Sequence, residues 1–442
     1  MRKTLFILLA FVSLQQVPAQ YKYDNNLFKT IFWDDLCREL QKPDGHLLLD
    51  VRSRGEFRDT SSAEYLNIGH LKGALNIDIN NLPDSIGKLD AYKDKTIYVY
   101  CSHSQRSRRV SRMLSEKGFT KVVNVNGGMT MFNMLKNSSI PCVQSIYESS
   151  IPWPFLSPAD LCALPAGTYV LLDIRPDSVY RQISGDDRQN GYGRLRGSVN
   201  IPLTSLAETL GNIPKNKKVI LIDGSGDDSP RAARLLAEKG YKDLAILFNG
   251  MDRWSLSDPA ALSCKTGWTE HLTAYGVLSP EEFYKMVAPA TTANVATAPA
   301  GKPNATASTP AATAGPGTAP GGAAPARTDL LILDVRNAAD FASQAKDAWR
   351  NMGHIRQAVN IPGTELPARA EEIGAFKNKP VIVYSIGSSP EAFTSARWLS
   401  KNGFTQVYVL VGGLFNLRWT AANIKDHQAL GALVTDIPAD NL

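Results

Sequence analysis

The sequence predicts an α/β protein of three tandem domains, each a mostly parallel sheet with helices on both faces. Three observations carry this expectation. "LLLDVRSRGEF" from Leu47, "VLLDIRPDSVY" from Val170 and "LLILDVRNAADF" from Leu330 are one phrase written three times. A second phrase follows each, as "GHLKGALNI" from Gly69, "GRLRGSVNI" from Gly193 and "GHIRQAVNI" from Gly353, and a third closes each copy, as "EKGFTKVVNVNGG", "EKGYKDLAILFNG" and "KNGFTQVYVLVGG". Repetition at this spacing marks tandem homologous units. Within each unit, β-branched runs such as "TIYVY" alternate with helical patterns such as "RRVSRMLSEKG", which ends on a glycine suited to a helix C-terminus. Strand-helix alternation of this kind gives a parallel sheet covered on both faces.

The chain has 442 residues, 43% hydrophobic and 20% charged, enough for several domains with cores of their own. Arg2 and Lys3 precede the apolar run "TLFILLAFVSL", and Val17 and Ala19 occupy small-residue cleavage positions, so residues 1–19 read as a secretory signal peptide and the protein is expected to be exported, to a periplasm or the cell exterior. That run is too short to cross a bilayer comfortably, and no other apolar run is long, so no membrane span is expected. The remaining expected divisions are domain 1 over 20–145, domain 2 over 146–265, domain 3 over 266–425 and a tail over 426–442. Residues 288–327, almost wholly Ala, Pro, Thr and Gly, interrupt domain 3; they are expected to be a disordered loop insertion, since such a tract cannot bury a core. Removing Arg2 and Lys3 with the leader takes the formal charge from +6 to +4, spread along the chain, which gives no indication of nucleic-acid binding.

Five cysteines in an exported chain leave at least one thiol free or paired elsewhere, and Cys101 is the candidate. Cys37 and Cys162 fall at equivalent places on the first helix of their units and are expected to be packed there. Cys142 and Cys264 each lie just past a unit, and a disulfide between those two is conceivable in an oxidising compartment. No Cys/His spacing suits a metal, and nothing calls for a cofactor.

In "YVYCSHSQRSRRVS", Cys101 closes a strand and opens a loop into a helix. A thiolate is the sulfur nucleophile, and converging backbone N–H groups at a helix start stabilise negative charge. Arg106 adds a cation. Arg108, Arg109 and Arg112 in the first turns oppose the helix dipole at ~0.3–1 kcal/mol each, so an anion is expected nearby. Counting back from Gly240 puts Asp223 at the place of Cys101 and Asp228 at that of Arg106; in the third copy Ser385 follows the strand, with Pro390 and Glu391 where the arginine would be, and no base for the serine is in view. Both loops read as degenerate. Asp223, Ser225, Asp227 and Asp228 also raise a minor cation-binding reading. His70 and His354 share a repeat position that Arg194 takes in copy two, which favours a turn or packing role, and His103 is placed to tune anion affinity.

Taken together, "LLDVR", "GHLKGALNI", the Cys101 loop and "NGG" resemble the rhodanese (thiosulfate sulfurtransferase) family, over nearly the whole mature chain apart from the insertion and tail. The resemblance implies that Cys101 takes a sulfane sulfur from a thiosulfate-like anion as a persulfide and passes it to cyanide or a thiol. It also implies a site formed by Ser102, His103, Ser104, Gln105, Arg106 and Ser107, with backbone amides from Ser102 to Arg106 cradling the sulfur and Arg106 anchoring the anion. Cys101 to Arg106 is C-x4-R, the loop length of sulfur-transferring members, whereas related phosphatases use C-x5-R. Ser104 stands where many single-domain members carry glycine. Two other classes stay open: a rhodanese-like scaffold or redox sensor that binds partner proteins through domains 2 and 3, and a phosphatase or arsenate-handling enzyme. Deleting residues 288–327 is expected to leave folding and activity intact, and limited proteolysis to cut there first; loss of folding on deletion would overturn the disordered-insertion reading.

Overall fold

A computed structural model describes residues 27–43, 45–137, 140–210, 213–288, 328–424 and 427–438. The expected leader over 1–19 and residues 289–327 of the expected insertion lie outside the described residues. Among the described residues, no helix is long and apolar enough to cross a membrane.

Each copy forms the same five-stranded parallel sheet. In the first, the order is Lys29–Ile31, Val122–Val125, Thr96–Tyr100, His46–Asp50, Leu75–Asn76. The second sheet pairs Phe155–Leu156, Leu244–Leu247, Lys218–Ile222, Tyr169–Asp173 and Val199–Asn200 in the same arrangement; the third pairs Gly276–Leu278, Gln406–Leu410, Pro380–Tyr384, Leu331–Asp334 and Val359–Asn360. Side chains alternate between faces. Leu47 and Leu49 join Val110 and Leu114 of helix Gln105–Glu116 in one core, while Leu48 joins Trp33, Leu36 and Phe132 on the other face. The second of these cores continues into domain 2 through Leu172, Val219, Ala232 and Leu236. In the same way, domains 2 and 3 share a core of Ile220, Ile222, Trp254, Leu331, Val383 and Leu399. The domains are therefore packed against one another through apolar surface, which binds their stabilities together.

Short antiparallel pairs carry each domain past the boundaries read from the sequence. Tyr147–Glu148 pairs with His70–Leu71, Thr269–Glu270 with Arg194–Leu195, and Val434–Thr435, inside the expected tail, with His354–Ile355. Cys37 is buried in its core and Cys162 packs partly buried against its own, both on the first helix as expected, but both are bonded, and the conceivable Cys142–Cys264 bond needs correction. The segment after the last helix of a copy folds back over its first helix, and the disulfides are Cys37–Cys142 and Cys162–Cys264, with Cα separations of 5.7 and 5.9 Å. Cys101 is the free cysteine.

The repeated phrases encode one interaction. In each copy an aspartate at the strand end holds the arginine two residues on: Arg52 Nη2 lies 2.8 Å from Asp50 Oδ2, Arg175 Nη2 2.7 Å from Asp173 and Arg336 Nη2 2.6 Å from Asp334. The same nitrogen donates to the carbonyl of Gly69, Gly193 or Gly353 at 2.8–2.9 Å. Those glycines have φ of +70 to +74°, and a Cβ on Gly69 would collide with the Tyr147 ring. The asparagine of "LNI" or "VNI" completes the brace: Asn76 Nδ2 donates to the carbonyls of Asp50 and Arg52, and Asn200 and Asn360 do the same. Removing one partner of such a pair leaves a buried charge. Asp173→Ala is expected to destabilise by ~3–5 kcal/mol, read as a lower urea midpoint, and Arg175→Leu added to it to recover part of the loss; an unchanged midpoint in Asp173→Ala would contradict the role given to the pair.

Candidate active site

The strand Thr96–Tyr100 delivers Cys101, 1% exposed, to the carboxyl edge of the first sheet, where open α/β sheets bind ligands. The helix Gly128–Leu135 closes on it from one side. Met129 N donates to the Cys101 carbonyl at 2.8 Å and Thr130 N to that of Ser102 at 3.0 Å. Approach this close accounts for the second glycine of "NGG": Gly128 has φ +57°, and a Cβ there would collide with the Cys101 and Ser102 carbonyls. Trp33 Nε1, donating to the Gly128 carbonyl at 2.8 Å, fixes the glycine from behind.

The loop turns through Ser104, at φ +92°, into helix Gln105–Glu116. Ser104 N donates to Cys101 Sγ at 3.1 Å. The N–H groups of Gln105, Arg106 and Ser107 belong to the first helical turn, which has no carbonyl one turn back to receive them. Ser107 Oγ lies 3.6 Å from Sγ, held against Asn124 Oδ1 at 2.7 Å. Ser102 and Ser104 are buried, and Gln105 is exposed.

Arg106 is placed differently from the expected anion anchor. Its Nη1 and Nη2 each lie 2.7 Å from an oxygen of Glu56, and Nη2 also donates to Ser102 Oγ at 2.8 Å. The fork is spent on an internal carboxylate, so the pair adds little net charge and Arg106 braces the loop. Burial pushes the Glu56 carboxyl up, but the Arg106 fork and the Ser53 amide more than offset it and hold it below the ordinary range, while its hydrogen bond raises Arg106. Glu56 was missed in the sequence: Ser53-x-x-Glu56 is a capping box that marks a helix start, but nothing local ties it to Arg106, 50 residues on. Ser102 Oγ accepts from Arg106 and also lies 3.0 Å from His103 Nδ1, while His103 Nε2 lies 3.0 Å from Thr130 Oγ1, so the ring bridges the loop and helix Gly128–Leu135. Desolvation of the ring and the Arg106 charge lower the His103 pKa, although His103 is exposed to solvent at the loop. His70 packs against Phe57 and His354 against Phe341, in keeping with a shared packing role.

The other copies put different groups at the same point. Met251 N meets the Asp223 carbonyl and Leu414 N that of Ser385, as Met129 N meets that of Cys101. The Asp223 carboxylate accepts from Gly226 N at 2.7 Å, Asp228 N at 2.9 Å and Ser229 N at 2.8 Å. These donors occupy the repeat positions of Ser104, Arg106 and Ser107. The loop of domain 2 is thus an anion cradle filled by its own side chain, and with its oxygens committed to N–H donors Asp223 is turned away from cation binding. Burial raises its pKa, against the pull of those hydrogen bonds. In domain 3 the loop is one residue longer, and Ser385 Oγ donates to Glu391 Oε1; the sequence placed Glu391 only at the arginine's position, and from the first turn of helix Pro390–Lys401 its carboxylate meets the serine, correcting the expectation that none would.

Comparison with known proteins fits this geometry. The model of the rhodanese-like domain matches residues 33–134, 158–257 and 323–419. The chain belongs to the rhodanese-like family. The uncharacterised protein YqhL of Bacillus subtilis is 32% identical over 110 residues, 25% of this chain and 76% of its own. The tRNA uridine(34) hydroxylase of Cytophaga hutchinsonii is 29% identical over 100 residues, 22% of this chain but only 29% of the hydroxylase. Among solved structures, the thiosulfate sulfurtransferase of Pseudomonas aeruginosa aligns over 87% of this chain and 66% of its own, at 16% identity and a TM-score of 0.21.

Arg106→Ala would leave Glu56, whose side chain is 5% exposed, without its partner. Discounted for the 28% exposure of Arg106, a loss of about 2–4 kcal/mol is expected, and Arg106→Ala/Glu56→Ala should be milder than Arg106→Ala alone. Because the Glu56 pKa is depressed on folding, its contribution is present above the ordinary carboxylate range, about pH 4, and is lost as pH falls through the folded value. Glu56→Gln should therefore flatten the acid limb of a melting-temperature profile; an identical limb would contradict this assignment.

Proposed function

We propose that this rhodanese-like protein is an exported sulfurtransferase in which Cys101 carries the sulfur. The observation that carries the reading is the correspondence of two loops: the one that holds Asp223 by three backbone N–H groups, and the one in which Ser104 N donates to Cys101 Sγ. One carboxylate oxygen takes the Gly226 N–H, as Sγ takes that of Ser104. The other takes those of Asp228 and Ser229, and in domain 1 the matching N–H groups of Arg106 and Ser107 are assigned to an outer sulfur bonded to Sγ.

The chemistry balances on the thiol alone. The Cys101 thiolate attacks the outer sulfur of thiosulfate, an S–S bond forms, the original S–S bond breaks, and sulfite leaves with the electron pair. Cyanide or a thiolate then attacks the outer sulfur of the persulfide, and the Cys101 thiolate is regenerated. Negative charge stays near the outer sulfur throughout, where preorganised N–H donors lower its energy. Domains 2 and 3 hold a carboxylate and a hydroxyl–carboxylate pair at this point, so they carry no sulfur and serve as packed supports. Export is supported by the two disulfides, which persist in oxidising compartments.

Thiosulfate treatment of the wild-type chain should add one sulfur atom by intact mass, removable by cyanide as thiocyanate. C101S should add none. Two labile sulfurs, or one that survives C101S, would overturn the reading.

A further inference from the structure

Ser104 holds a backbone conformation that its side chain disfavours. At φ +92° it lies further from the left-handed well than the other non-glycine residues of positive φ among the described residues, which span 55–64°. Domain 2 reaches the same point with Gly226 at φ +96°, for which the conformation is free of that penalty. Something in domain 1 must hold Ser104 there, because this φ sets how the helix start, with the N–H groups of Arg106 and Ser107, sits relative to the Ser104 N–H that donates to the Cys101 sulfur.

Asn126 supplies the hold. Its Oδ1 accepts from Ser104 Oγ at 3.0 Å and from Arg108 Nη2 at 3.1 Å, while Ser104 Oγ accepts in turn from Gly127 N. The backbone of Asn126 is anchored by its N–H to the Ile31 carbonyl at 2.9 Å. Its Nδ2 faces the Ala422 carbonyl of domain 3 at 3.5 Å, which turns Oδ1 toward Ser104. Asn126 is 1% exposed, and its repeat counterparts are Phe248 and Val411, both buried and apolar. Domain 3 also bonds the matching glycine N–H to a turn serine, Gly412 N to Ser388 Oγ, but Ser388 lacks the positive φ, so a polar side chain has entered this core position only in the copy that carries the thiol and a positive-φ serine.

We propose that Asn126 is a positioning residue for the sulfur cradle, fixing Ser104 in the left-handed conformation that sets the helix-start N–H groups beside the Ser104 N–H at Cys101. For its bearing on sulfur transfer this rests on the function proposed above, but the hold on Ser104 does not.

The test is a rescue. Thiocyanate formation from thiosulfate and cyanide, and the rate of Cys101 alkylation by iodoacetamide at fixed pH, are measured for wild type, Asn126→Ala, Ser104→Gly and the double variant, with melting temperatures alongside. Asn126→Ala is expected to lower kcat for thiocyanate on the order of tenfold, the size of one left-handed non-glycine penalty, and to change the alkylation rate. Ser104→Gly alone sets the reference, and adding it to Asn126→Ala should raise both rates above those of Asn126→Ala, to within about threefold of Ser104→Gly, even where the melting temperature stays low. A purely structural role for Asn126 gives no such rescue, and a double variant no better than Asn126→Ala would overturn the proposal, as would Asn126→Ala with wild-type rates. If the wild type forms no thiocyanate, the sulfurtransferase reading fails, while the alkylation rates still decide the role of Asn126.

Discussion

Backbone N–H groups at the start of a helix have no carbonyl to receive them, and in a parallel sheet the strand before that helix ends where those groups point. The geometry of all three loops follows from this constraint. Domain 2 shows it most plainly, with three amides converging on the Asp223 carboxylate. Domain 1 places a thiol at the same point, and domain 3, with a loop one residue longer, places a hydroxyl bonded to a carboxylate. The fold supplies an electropositive focus of main-chain origin, and the residue at the strand end decides what the focus does. An arginine is not needed as the source of the field, and Arg106 is occupied instead by Glu56.

The focus needs a rigid frame. The Asp–Arg–Gly fork and the asparagine brace tie the end of one strand to the neighbouring turn in every copy, independently of whether the loop holds a thiol. Their presence in the two copies without a loop cysteine marks them as architecture. The shared apolar cores join the sheets into one packed body, so copies that lack a nucleophile still support the one that has it.

Much of this was legible in the sequence because tandem repetition allows the chain to be read against itself. The three phrases located the strand ends, the turn glycines and the loop, and the contrast of Cys101 with Asp223 and Ser385 singled out one copy. The cysteines were misread because Cys37 and Cys162 were compared with each other across copies. The more telling equivalence was that each copy pairs its first-helix cysteine with the one just past its end, at sequence separations of 105 and 102. Glu56 and Asn126 escaped notice for another reason: their roles depend on contacts across 50 and 22 residues with Arg106 and Ser104, which no local pattern announces. Likewise, a serine at φ +92° cannot be recognised from its one-letter code.

The most direct test of the cradle is an experimental structure of the protein after thiosulfate treatment. The account predicts density for a second sulfur bonded to Cys101 Sγ, within hydrogen-bond reach of the N–H groups of Arg106 and Ser107, with the Arg106 guanidinium still on Glu56. A second sulfur seated against the guanidinium instead, with Glu56 released, or a bare Cys101 in protein whose mass shows the added sulfur, would contradict it.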